Sequence, residues 1–318
     1  MEKYTDWFNC VTGVKQGDNL SPTIFSVFIN DLVSELNALD NGFEIGEQKL
    51  SALLYADDIA LLATSETNLQ LLLDVMYRWC RKWRVLINTE KSKCIRFRKP
   101  RSAQTEHEFT TGNNVLEKVD SYKYLGVIFH CYKDFSSTCQ ALAKSGGRAL
   151  GKIISKIHKI KDFGFKTFEK MYYSCVTPIL DYLAAVWGFK HSQAVDNIQN
   201  RAIRYFLGVH RFAPILALTG DTAWLPSDYR RWISIVRYWN RIIAFDDNRI
   251  SKKVFNMDYD KCRNNWCSDL KDMLHKLELM DYFDQKIAIN LELCKSRIET
   301  YYSNIWSQQI VSVRKLRT

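Results

Sequence analysis

At 318 residues, with 47% hydrophobic and 25% charged side chains, the chain is longer than one compact domain usually holds, and its apolar content excludes disorder. No run of about eighteen uncharged apolar residues occurs, and the opening MEKYTDWFNC lacks a basic-then-apolar leader pattern, so the sequence predicts a soluble intracellular protein with no membrane partner. A formal charge of +10 points to an anionic partner, and nine cysteines without regular spacing predict free thiols rather than a disulfide framework.

In chain order, GVKQGDNLSP begins with a glycine-bracketed turn at 13–17 and leads to a helix with Ser21 as N-cap and Pro22 at its first position. Phe25, Phe28, Ile29, Leu32, Val33 and Leu36 recur at helical spacing and form its buried face. The stretch LLYADDIALLAT, within 51–64, is too short for two elements unless it is a hairpin bent at Asp57 and Asp58. Thr64 or Ser65 then caps a second helix with an apolar stripe of Leu69, Leu72, Leu73, Met76, Cys80 and Trp83. Its last turns carry Arg78, Arg81, Lys82 and Arg84, which also suits the helix dipole.

Short strands are expected at 85–87 and 94–97, and a β segment at 121–129, where aromatic and β-branched residues concentrate. After Phe135 the period becomes helical, with Gly, Pro and Asn as punctuation, and WSQQIVSVRKLRT reads as a polar, basic tail. The expected organisation is a mixed α+β module at 1–134, a helical region at 135–225 and a second helical region at 226–318.

Two adjacent carboxylates at a bend repel unless a cation is shared or one is protonated, and a divalent metal is the natural cation. Mg²⁺ takes one or two carboxylates plus substrate phosphates, a donor set suited to phosphoryl transfer. The competing reading is a pair of acids in a solvated turn. From Arg78 to Arg101 ten basic residues face one acid, Glu90, for a local charge of +9. Trp79, Trp83 and Phe97 lie between them, a composition that attracts a phosphate backbone. A solvated helix face followed by a basic loop is the bland alternative.

YADD at 55–58, preceded by GVKQGDNLSP and followed by INTEKSKCIRF and YLGV, resembles the palm of a reverse transcriptase of the non-LTR, LINE-type retrotransposons. The segments YYSCVTPILDYLAAVWG, IQNRAIRYFLGVHRFAP and LTGDTAWLPSDYRR resemble the helical region beyond the palm in jockey- and CR1-like elements. The resemblance implies an α+β fold: a partial polymerase palm of antiparallel sheet with helices, then a mostly α-helical thumb and C-terminal region. It implies an RNA-directed DNA polymerase fragment working by two-metal nucleotidyl transfer to a primer 3′-hydroxyl. Asp57 and Asp58 become catalytic Mg²⁺ ligands, with Asp57 the more direct one. Lys91 becomes a general acid at the leaving pyrophosphate, with Lys93 as its rival.

Gln16 and Gly17 would border the template and incoming nucleotide, and Tyr55 the primer terminus. Tyr124, Leu125 and Gly126 would form the primer-grip hairpin, and Arg78, Arg81, Lys82 and Arg84 would hold nucleic acid. The implied partners are an RNA template, a DNA primer and deoxynucleoside triphosphates, and the implied location is nuclear or cytoplasmic.

The chain departs from the family at two places. Polymerase palms use a third carboxylate on a strand before the GVKQG loop, and neither Glu2 nor Asp6 lies in such a pattern. The expectation is therefore a chain truncated at its N-terminus and inactive alone, its two-metal site incomplete unless another polypeptide supplies the fingers and first palm strand. Asp18 stands where the family often has cysteine or a small residue. A non-enzymatic nucleic-acid-binding relic of a polymerase is the alternative. Cys262 and Cys267 lack a histidine at zinc-ligand spacing, so no zinc site is expected.

Overall fold

Pro22 fixes a helical φ at the start of α1 (Ser21–Ala38), and Ile29, Leu32 and Leu36, three and four residues apart, form its buried stripe. The expected Ser21 cap is replaced by a different closure. Leu20 occupies the N-cap position, the Ser21 hydroxyl donates to the Lys15 carbonyl at 2.7 Å, and Asp18 Oδ1 accepts the Leu20 N–H at 2.8 Å. The aspartate thus satisfies an amide at the helix entry that would otherwise lack a partner.

The computed structural model describes residues 13–15, 17–160 and 164–311. The chain divides into two compact units, one of residues 1–96 with 103–119, the other of 97–102 with 120–318.

In the first unit, β1 (Phe43–Ile45) and β2 (Gln48–Leu50) form an antiparallel hairpin after α1. Next come β3 (Ala52–Tyr55) and β4 (Asp58–Leu61), also antiparallel. Helix α2 (Glu66–Trp83) is capped by Ser65, whose hydroxyl accepts the Asn68 N–H at 3.1 Å, and its Leu72, Val75, Trp79 and Cys80 pack on the stripe of α1. The burial pattern revises the expected stripe, because Trp79 is buried while Trp83 is exposed.

Arg84 then takes the left-handed conformation, and the N–H groups of Arg84 and Val85 donate to the carbonyls of Arg81 and Cys80, a Schellman ending. Residues 85–87 leave this ending as irregular chain, so the strand expected there is absent among the described residues. Strands β5 (Lys93–Ile95), β6 (Thr110–Thr111), β7 (Asn114–Val115) and β8 (Glu117–Val119) follow, β5 pairing parallel with β8 and β6 antiparallel with β7.

The second unit opens with β9 (Ser121–Tyr124) and β10 (Val127–His130), so the β segment expected at 121–129 is a hairpin rather than one strand. Its turn residues Leu125 and Gly126 both have positive φ, 46° and 84°, the requirement of the primed turn that matches strand twist. Helices α3 (Ser136–Ile157), α4 (Phe165–Cys175), α5 (Thr177–Leu180), α6 (Ala184–Trp187), α7 (Gln193–Leu207) and α8 (Ile215–Thr222) enclose one core, in which Leu150, Phe168, Tyr172 and Leu180 are fully buried.

Helices α9 (Ser227–Ile243), α10 (Ile250–Lys261), α11 (Trp266–Lys276), α12 (Met280–Asp284) and α13 (Leu291–Ile310) enclose another, built on Ile235, Val236, Trp239, Leu270 and Ile298. Polar groups on α9 and the α5–α7 region are cross-linked. Arg230 Nε donates to Asp181 Oδ2 at 2.5 Å and its Nη1 to Gln199 Oε1 at 2.8 Å, while Arg231 Nη2 donates to the Lys190 carbonyl at 3.2 Å.

The expected basic tail is partly helix: α13 runs through Trp306, whose indole N–H donates to the Leu216 carbonyl at 2.8 Å. Among the described residues eight cysteines are free, as the sequence predicts, and no helix is long and apolar enough to cross a membrane. The fold is α+β, with small antiparallel pairings near the start and helices thereafter.

Candidate active site and nucleic-acid interface

The acid-bearing hairpin is positioned by its own alternation. Ala52, Leu54, Ile59 and Leu61 pack on the core formed by α1 and α2, which turns Leu53 and Tyr55 outward. Tyr55 pairs directly with Asp58, so phenol and carboxylate share the open face. The bend is therefore Ala56 and Asp57, with Ala56 at φ 50°, and Asp58 is the first residue of the return strand.

Asp57 and Asp58 are exposed, Tyr55 is 65% exposed, and neither acid has a hydrogen-bond or ion-pair partner among the described residues. Two adjacent oxygen donors without a countercharge match the partial protein ligand set that Mg²⁺ takes when substrate oxygens and water complete its shell. Among the described residues, no group of three or more potential metal-binding side chains converges anywhere.

The flanking elements hold the other predicted residues. Gly17 is exposed at φ 85°, with open space where a Cβ would project, so backbone is accessible at the entry to α1; Gln16 lies outside the described residues. Lys91 is exposed on a turn in which its N–H donates to Asn88 Oδ1 at 3.0 Å. Its rival Lys93 is committed to Glu117 Oε2 at 2.6 Å.

Of the basic tract, Arg78, Arg81, Lys82 and Arg84 are exposed at the end of α2, with Lys82 4.0 Å from Glu35. Arg96 pairs with Glu66 at 3.7 Å and Arg98 with Asp120 at 2.8 Å, which holds the Asp120 carboxyl below the usual carboxylate range. Beyond α2, Lys93, Arg96 and Arg98 are thus held in ion pairs.

The tryptophans of the tract serve packing. Trp79 Nε1 donates to Asp31 Oδ1 at 2.7 Å and Trp83 Nε1 to Asp31 Oδ2 at 2.9 Å, and Phe28 meets both rings edge-on at 5.3 and 5.5 Å. Asp31 therefore fixes the end of α2 that carries the cations. Its signal in the sequence is faint: an acid one residue before the buried Leu32, and two tryptophans four apart on another helix. In the second unit, Tyr124 and Leu125 are half-buried, and the Tyr182 hydroxyl donates to the Leu125 carbonyl at 3.1 Å. That same tyrosine covers Gly126, where a Cβ would lie 2.8 Å from its ring.

Comparison with known proteins supplies the context. Residues 1–129 match the family described as reverse transcriptase (RNA-dependent DNA polymerase). The chain is 32% identical over 141 residues to the retrovirus-related Pol polyprotein from the type-1 retrotransposable element R2 of Nasonia vitripennis, covering 40% of this chain and 13% of that protein. It is 27% identical over 206 residues to the probable RNA-directed DNA polymerase from transposon BS of Drosophila melanogaster, covering 60% of this chain and 22% of that protein. Against the RNA-directed DNA polymerase from mobile element jockey of Drosophila funebris it is 29% identical over 205 residues, 62% of this chain and 22% of that protein. The matched region thus spans about a fifth or less of each relative's length. The acid-tipped hairpin held on two helices thus lies within residues 1–129, the part of the chain that matches the reverse transcriptase family, and the relatives that the chain is similar to are polymerases of non-LTR retrotransposons.

Proposed function

We propose that this chain carries the metal-holding hairpin of an RNA-directed DNA polymerase that extends a DNA primer on an RNA template. The observation that supports it most is the pairing of Tyr55 with Asp58 on the face the core leaves open, beside an Asp57 exposed at the bend. Asp57 and Asp58 are the residues that would hold Mg²⁺. Bound there with substrate oxygens, the metal would lower the pKa of the primer hydroxyl and stabilise charge on the leaving phosphate. Tyr55 supports the primer end, and Gly17 and Gln16 border the nucleotide and template. Lys91 is the candidate proton donor to pyrophosphate, a role for which Lys93 is disfavoured by its Glu117 partner.

A two-metal site takes more than two carboxylates from the protein. We assign the third to a separately supplied segment, because neither Glu2 nor Asp6 lies in the pattern that carries it. The expected result is no Mg²⁺-dependent incorporation by the 318-residue chain alone. Incorporation should appear when a segment bearing the third acid is supplied, and fall at least a hundredfold on Asp57→Asn. Primer extension checks all three arms. Undiminished extension by the Asp57→Asn protein would overturn the assignment, and extension by the unsupplemented chain would overturn its incompleteness.

The exposed cations of α2 support a second reading, retention of RNA or DNA without catalysis. This reading is independent of the acids and predicts binding that Asp57→Asn leaves intact.

A further inference from the structure

In the second unit two arginines from different elements meet over one ring. Arg241 lies in the last turn of α9 and Arg249 holds the N-cap position of α10, and their guanidinium carbons stand 5.6 and 4.2 Å from the centre of the Phe245 ring. Both arginines are exposed, and neither guanidinium has a hydrogen-bond or ion-pair partner among the described residues. The acids of the intervening loop do not answer them: Asp246 Oδ1 accepts the Asn248 N–H at 2.8 Å, and neither Asp246 nor Asp247 forms an ion pair among the described residues. A cation–π contact holds a guanidinium in place without neutralising it, so both charges stay available to an anion. Arg249 moreover stands at a helix start, where the dipole disfavours a cation, and α10 has no acid in its first turn to offset it. Two like charges gathered at one ring also repel, and an anion held by both would relieve that repulsion.

A third donor faces the same charges. Tyr238, one turn before Arg241 on α9, is half-buried, with its ring edge-on to Trp266 at 5.6 Å. Its hydroxyl has no hydrogen-bond partner among the described residues, and the charges of Arg241 and Arg249 both act on it, against the burial that raises its pKa. Two guanidinium forks and a neutral hydroxyl form a donor set that suits the several oxygens of a phosphate. Arg237, four residues before Arg241, is exposed on the same side of α9 and also without an ion pair among the described residues. The cationic edge thus runs along the helix, which fits a row of phosphates better than a single anion.

We propose that Arg241 and Arg249 clamp one phosphate of a nucleic-acid strand, with the Tyr238 hydroxyl donating to it and Arg237 meeting the next phosphate. The proposal rests on the reading that this chain holds nucleic acid, and it adds a contact in the last helical region that the exposed cations of α2 do not require.

The test measures fluorescence anisotropy of a labelled single-stranded RNA ten-mer with the full chain, over a series of salt concentrations. Replacing Arg241 and Arg249 together by Gln should weaken binding at least tenfold and lower the salt slope by about 0.7, the increment for one phosphate of a single strand. Arg249→Lys, which keeps the charge but not the fork, should weaken binding about threefold and leave the slope unchanged. Tyr238→Phe should weaken it about twofold to fivefold. Lys276→Gln, which removes an exposed cation at the end of α11, should change neither affinity nor slope. An equal loss on Lys276→Gln would show diffuse attraction in place of a site and overturn the proposal. Binding that falls on Arg81→Gln but not on the double substitution would overturn this contact while leaving the α2 interface standing, and absence of salt-dependent binding by the wild-type chain would overturn both. Calorimetric binding of inorganic phosphate that needs Arg241 and Arg249, with RNA affinity indifferent to them, would assign the clamp to a free anion. The same pattern with poly-glutamate would assign it to an acidic protein, and either result overturns the proposal.

Discussion

Asp31 shows how much can rest on one side chain. Its two carboxylate oxygens each accept an indole N–H, one from Trp79, which is buried, and one from Trp83, which is exposed. Removing the acceptor strands a buried donor, the expensive half of a hydrogen bond, and frees an exposed one at little cost. Asp31→Ala is expected to lower stability by about 2 to 3 kcal/mol in urea unfolding, and Asp31→Asn by about half of that, since an amide oxygen still serves one indole. This role was scarcely legible in the sequence, because acceptor and donors lie about fifty positions apart and nothing local marks them as partners. The hairpin that carries Asp57 and Asp58 was legible, because a segment that short admits two strands only with a tight bend between them. The exchange of Trp83 for Trp79 in the core belongs to the same scale: both fit the helical period and both bond Asp31, yet Trp79 is buried and Trp83, at the last position of α2, is exposed.

Elements were legible where period and punctuation agreed. The buried face of α1, the acid-bearing hairpin and the long helices after Phe135 follow from apolar spacing bounded by Ser, Pro and Gly. Two expectations failed for lack of a long-range partner or a recognised turn. Residues 85–87 have strand-favouring side chains but emerge from a left-handed helix ending with no strand paired to them among the described residues, and propensity alone cannot supply a ladder. Residues 121–129 look like one strand until Leu125 and Gly126 are seen as a two-residue turn.

That turn yields the prediction at this scale. Gly126→Ala imposes a side chain on a left-handed backbone and places it 2.8 Å from the Tyr182 ring. A loss of about 1 to 2 kcal/mol is expected from the backbone term, more if Tyr182 cannot yield. Thermal melts would read the loss, and hydrogen exchange at β9 and β10 would place it in the hairpin.

Across the whole molecule, stability depends on charges as well as apolar cores. In the second unit, Asp228 begins α9 with one carboxylate oxygen buried and unpartnered, and burial, reinforced by repulsion from Asp196, raises its pKa above the ordinary carboxylate value despite Arg231 nearby. A carboxyl whose folded pKa is raised binds its proton more tightly in the folded state. Its ionisation therefore costs stability as pH rises from its unfolded pKa through its folded one, and the cost is fully present above both. Asp228→Asn should accordingly stabilise the protein at neutral pH, with the gain shrinking as pH falls to about 4. Urea midpoints of both proteins at the two pH values check this, and an equal gain at both would refute the titration argument. The Arg230–Asp181 pair that joins polar groups of this unit was not legible, since its partners lie about fifty positions apart.

The left-handed Ala56 at the hairpin tip carries one more consequence, for how this protein can change. A glycine there would relieve about 1 to 2 kcal/mol of backbone strain, so the most stable form of the hairpin is one substitution away. That same glycine would give Asp57 more directions in which to point, loosening an acid whose proposed task depends on being aimed. Larger or β-branched residues would err the other way, raising the strain and crowding the face where a primer end would rest. Alanine is the compromise between these pressures, and selection for thermal stability alone would be expected to erode function first at this position.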